Sequence, residues 1–144
     1  MSSPKLQLNI QNHQAWENLP SRKDFQYWIS HALFEDADLT FKFVDTAESA
    51  QLNHYFRGKK NATNVLTFPY PETRPITADI AICVPVMIKE AHAQKKELSA
   101  HFAHLSIHAT LHAQQFDHGT KMEREFMELL EIDILDGLGF KNPY

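Results

Sequence analysis

The chain has 144 residues and carries 14 Lys and Arg against 18 Asp and Glu, a formal net charge of −4. At 43% hydrophobic residues it can bury a core as one domain over 1–144, and it shows no apolar run suited to a membrane span or a signal segment. The single cysteine, Cys83, excludes an internal disulfide and fits a reducing, cytoplasmic setting.

Leu6, Leu8 and Ile10 alternate in KLQLNI and predict an opening strand. Ser21, followed three residues later by Asp24, predicts a capped helix with an apolar stripe of Phe25, Trp28, Ile29 and Leu33. LTFKFV, with Leu39, Phe41 and Phe43 in alternation, predicts a strand, and TAESAQLNHYF a short helix. NVLTFP and TADIAIC are short β-rich runs separated by turn residues. Pro85 suits the first position of a helix over PVMIKEAHAQ. A long helix from about Leu98 to Gln114 follows, and Thr120 with Glu123 caps a last helix that ends near Gly137 and Gly139. Strands and helices interleave without repeat or linker, which predicts an α+β fold with a small mixed β-sheet flanked by helices.

The acidity is local. Between residues 119 and 136, Lys121 and Arg124 stand against Glu123, Glu125, Glu128, Glu131, Asp133 and Asp136, and the rest of the chain is neutral. A nucleic-acid-binding face elsewhere is therefore compatible with the net charge, and the last helix is expected to be a solvated acidic face.

Five of the nine histidines fall between His101 and His118. On a helix over 98–114, Leu98, Phe102, Leu105 and Ala109 form one apolar stripe, and Ile107 with Leu111 lies nearly opposite. His101, His104, His108 and His112 share the face between these stripes, so the helix is expected to be buried with an imidazole row pointing inward. Each buried imidazole needs a partner, and neutral imidazole is a common metal ligand. His108 and His112, four apart on one helix face, present two nitrogens to one ion. His118 joins them only if the helix breaks near Gln114–Phe116 and the chain curls back, which Asp117 and Gly119 favour. Three ligands and an open fourth position would make a catalytic zinc. Ala109 occupies the position after the first histidine where helical zinc proteases carry their basic glutamate, so a protease would lack its base.

HATLHAQQFDH resembles the H-G-x-L-H-L-x-G-Y-D-H signature of the YbeY family of bacterial metal-dependent endoribonucleases. YFRGKKNATNVLTFP resembles that family's Y-R-G-K-x-x-x-T-D-V-L-S-F-P block, and ADIAICVPVMIKEAHAQ its G-D-I-x-I-x-x-P run. LSAHFAHLSIH is similar to the helix entering the site, and Met127, Glu131, Ile134 and Leu135 to the closing helix, so the likeness runs over roughly residues 40–140. The chain departs from the pattern at Ala62, Asn64, Ala78, Ala109, Ala113, Gln115 and Phe116. Gln115 matters most, because a non-glycine residue held at positive φ costs on the order of 1 kcal/mol.

The resemblance implies a zincin-like YbeY fold and one zinc ion on His108, His112 and His118. Arg57 matches the family's catalytic arginine, whose guanidinium fork suits phosphate, and Lys59 matches an RNA-binding lysine. Asp117 and His104 are expected to support the metal ligands. The implied function is a single-strand-specific endoribonuclease in 16S rRNA 3′-end maturation and ribosome quality control. Its implied partners are ribosomal RNA, small-subunit ribosomal proteins and an assembly GTPase. The alternatives are a ribosome-assembly factor with a structural metal and a metal hydrolase with a non-RNA substrate. Elsewhere, Tyr55 and Phe56 are candidates for base stacking, with core packing expected for at least one of them. Thr63 and Asn64 are expected to be structural, and Cys83 to be a small core residue.

Overall fold

The computed structural model describes residues 3–144. In chain order it forms β1 (Leu6–Gln11), a 3-10 turn (His13–Ala15), α1 (Arg22–Ser30), β2 (Ala37–Val44) and α2 (Thr46–Arg57). β3 (Val65–Tyr70), β4 (Ile76–Cys83), α3 (Val84–Ala93), α4 (Leu98–Ala113) and α5 (Lys121–Gly137) follow.

The sheet order is β1-β2-β4-β3. β1 and β4 pair in parallel with β2, and β3 runs antiparallel on the edge of β4, so the sheet is mixed as predicted. Along β2 the alternation of Leu39, Phe41 and Phe43 places all three in the core, each without exposed surface. Phe25 and Phe102 meet Phe43 there, with ring centroids 5.3 and 6.3 Å from it.

Local signals explain the helix boundaries. Ser21 and Asp24 form a complete capping box on α1, and Thr120 and Glu123 form another on α5. Pro85 stands one position later than predicted, because α3 begins at Val84; a proline in the first turn still removes only an N–H that has no partner inside the helix.

α4 is the central helix, packed against α1, α3, α5 and β3. Ile107, Ala109 and Leu111 have no exposed surface, which agrees with the two apolar stripes. Gln114 ties its end to the loop after α1, accepting from the Phe34 N–H at 2.8 Å and donating to the Ala32 carbonyl at 2.8 Å. No helix of the described residues is long and apolar enough to cross a membrane.

Candidate functional site

α4 ends in a turn that sends the chain back over its own last histidines. Gln115 takes φ 75°, the left-handed conformation. Its N–H bonds the His112 carbonyl at 3.0 Å, and the Phe116 N–H bonds the Leu111 carbonyl at 3.2 Å. These two bonds are the Schellman pattern, made here without the usual glycine. The condition placed on His118 by the sequence is met: its ring centroid is 5.0 Å from that of His112 and 5.6 Å from that of His108. His108 and His112 are 6.0 Å apart.

Three imidazoles sharing a tetrahedral zinc at about 2.0–2.1 Å would have ring centres roughly 5 Å apart, so this triangle is of the right size. The nitrogens do not yet converge. Among the described residues no group of three or more His, Cys, Asp or Glu side chains is preassembled to hold an ion. The rings of His108 and His118 lie at 22° to each other, and His112 is steeply inclined to both, at 87° and 81°. His118 is exposed on its turn.

The chemistry of the donors also fits. His112 has its pKa lowered, first by burial and then by His108 and His118, so it is neutral and offers a lone pair. His108 Nδ1 lies 3.0 Å from Glu131 Oε2, which makes Nδ1 the donor and leaves Nε2 free to ligate.

Glu131 is the residue that sequence reasoning misplaced. It was expected on a solvated acidic face, yet it has no exposed surface. Its Oε1 accepts from His104 Nε2 at 2.7 Å and from the Tyr144 hydroxyl at 2.8 Å. Burial by itself would raise its pKa, but the hydrogen bonds from His104, His108 and Tyr144 hold it down to about 2. The signal was present in the sequence: Met127, Glu131 and Leu135 follow each other at helical spacing, so a carboxylate sits on the buried stripe of α5. Tyr144 carried no such signal. It lies beyond α5, with its hydroxyl pKa raised by burial and by Glu131.

A groove of about 830 Å³ opens over the histidines, within the range of ligand sites. His104, His108, His112, His118 and Arg57 line it together. Arg57 is placed there by the end of α2, where Gly58 takes φ 69° and closes the helix. Lys59 is exposed and is not part of this lining. The carboxylate of Asp117 accepts from the backbone N–H of His118 at 2.7 Å, which shapes the turn, and its charge favours the protonated form of His112.

The imidazole row predicted on α4 divides. His101 turns away from the groove to Glu90 and Lys96, at 2.9 and 3.2 Å. Asn64 joins that group, donating to Glu90 Oε1 at 3.0 Å, and Ser49 Oγ bridges the backbone of Thr63. Cys83 is buried in the core. The expectation that Tyr55 or Phe56 packs in the core fails: they are 81% and 56% exposed, and the residues that α2 buries are Ser49 and Asn53.

A family model described as Endoribonuclease YbeY matches residues 9–139. The chain is 52% identical over 128 residues to the endoribonuclease YbeY of Ralstonia nicotianae, an alignment covering 88% of this chain and 68% of that protein. It is 48% identical to the endoribonuclease YbeY of Paraburkholderia phymatum, over 99% of this chain and 97% of that one. The solution structure of TM1509 from Thermotoga maritima has a TM-score of 0.58 to it at 21% identity, over 92% of this chain and 91% of the other, a likeness of fold.

Proposed function

We propose a function from one premise: the chain belongs to the endoribonuclease YbeY family. It acts as a zinc-dependent, single-strand-specific endoribonuclease in small-subunit rRNA 3′-end maturation and ribosome quality control. It works in the cytoplasm on ribosomal RNA, alongside small-subunit ribosomal proteins and an assembly GTPase. The observation that carries this proposal is the return of His118 onto His108 and His112 in a groove that also contains Arg57.

His108 through Nε2, together with His112 and His118, would hold the zinc. When bound, that ion supplies Lewis acidity toward a phosphoryl oxygen and a water that ionises near neutral pH. The rest of the chemistry belongs to the chain. Arg57 binds the non-bridging oxygens of the scissile phosphate with its planar fork and offsets the charge that builds as the phosphorane forms. Glu131, gripped by His104 and Tyr144, keeps the His108 proton on Nδ1. Lys59, outside the groove, meets the phosphates of the flanking strand without reading sequence.

The test compares wild type and Arg57→Ala on a single-stranded RNA and on the same sequence annealed to its complement, with zinc per chain measured for each. The wild type cleaves the single strand in preference. Arg57→Ala retains zinc and loses roughly 100-fold or more in rate, the scale of removing one group that stabilises developing charge. A wild type that binds RNA without cutting it, with only affinity changed in the variant, would make the protein an assembly factor instead.

A further inference from the structure

We propose that Tyr144 contacts substrate directly, its ring stacking on a nucleobase of the single-stranded RNA held beside the histidines. This rests on the function proposed above. The hydroxyl end of Tyr144 is fixed: it donates to Glu131 Oε1 at 2.8 Å and lies 3.2 Å from His104 Nε2. The ring meets the His104 ring edge to face, at 85° with centroids 5.3 Å apart. The residue as a whole is not packed away. Tyr144 is 57% exposed, and it lines the same groove as Arg57 and the histidines.

A tyrosine that served only to brace Glu131 would be expected to bury its ring with its hydroxyl. This one anchors the polar end, meets His104 with its ring, and still lines the groove as a half-exposed residue. Because the hydroxyl bonds already hold the side chain, stacking on it adds little ordering cost. The groove carries further aromatic lining from α2 and β3, where Phe56 and Phe68 lie 4.7 Å apart, so a strand of unpaired bases meets rings from three parts of the chain. Stacking tolerates any base and needs it unpaired, which gives a physical basis for preferring single strands: bases in a duplex are already stacked on each other.

Steady-state cleavage of a single-stranded RNA carrying one 2-aminopurine, with wild type, Tyr144→Ala and Tyr144→Phe, tests the assignment. Tyr144→Ala should raise KM about tenfold and lose the quenching of 2-aminopurine fluorescence that stacking produces, at the scale known for base–aromatic stacking. Tyr144→Phe, which keeps the ring but loses the hydroxyl bond to Glu131, should keep the quenching and a KM close to wild type while kcat falls. Equal changes of KM and quenching in the two variants would assign the effect to the hydroxyl and overturn the stacking role. So would a fall in kcat at unchanged KM in Tyr144→Ala, which would make Tyr144 a positioning residue acting through Glu131. Unchanged kinetics in Tyr144→Ala overturns the inference and leaves the nuclease standing, whereas a wild type that neither binds nor cleaves RNA overturns both.

Discussion

Glu131 Oε2 lies 3.0 Å from His108 Nδ1, and the other oxygen of the same carboxylate lies 2.7 Å from His104 Nε2. One buried acid on α5 thus holds two histidines one helical turn apart on α4. Removing it leaves both imidazoles without their charged partner inside the protein. Glu131→Ala should cost on the order of 3 kcal/mol in unfolding free energy, and Glu131→Gln clearly less because it preserves shape and one acceptor. Urea unfolding of the metal-free proteins checks this. Equal stability of wild type and Glu131→Ala would show that the network carries no energetic weight.

The turn after α4 gives a second expectation. Gln115 occupies φ 75° with a side chain, so Gln115→Gly relieves backbone strain while making the unfolded chain more flexible. The net gain should be about 0.5–1 kcal/mol, a Tm higher by about 2–4 °C for a chain of this size. A lower Tm would mean that the glutamine side chain contributes more than its conformation costs.

His101 supplies a pH dependence with a definite sign. Its pKa lies below the ordinary 6.5, chiefly from burial, with Lys96 and His104 pressing the same way and Glu90 opposing them. The unfolded chain therefore takes up a proton that the folded chain resists, and stability rises with pH through this range. It is lost as pH falls below 6.5. The fall in unfolding free energy between pH 7 and pH 5 should be shallower in His101→Gln than in wild type. Parallel curves would contradict the assignment.

Much of the fold was written locally. Both capping boxes, the alternation along β2 and the doubly apolar character of α4 rest on neighbours within a turn or two, and each appears where its residues predict it. The candidate site was legible as far as spacing reaches: His108 and His112 share a helix face by geometry alone. The return of His118 was legible only as a condition, favoured by Asp117 and Gly119, because Gln115 lacks the glycine that usually announces a left-handed residue. Glu131 was legible in principle, as a charge on the Met127–Leu135 stripe, and was hidden by the acidic residues around it. Tyr144 was not legible at all. Its partners Glu131 and His104 are 13 and 40 residues away in sequence, and nothing periodic connects them. Tyr55 and Phe56 show the converse error, since aromatic type alone does not say whether a helix face is covered.

The proposed function stands or falls on His108, His112 and His118 forming one metal site. The most direct test is zinc per chain by elemental analysis, wild type against His118→Ala, both purified without a histidine tag. Close to one zinc per wild-type chain is expected, with a sharp fall in the variant, which keeps only the pair on α4. Equal zinc in both proteins, or none in either, would contradict it, and the groove would then be a histidine-lined surface without metal chemistry.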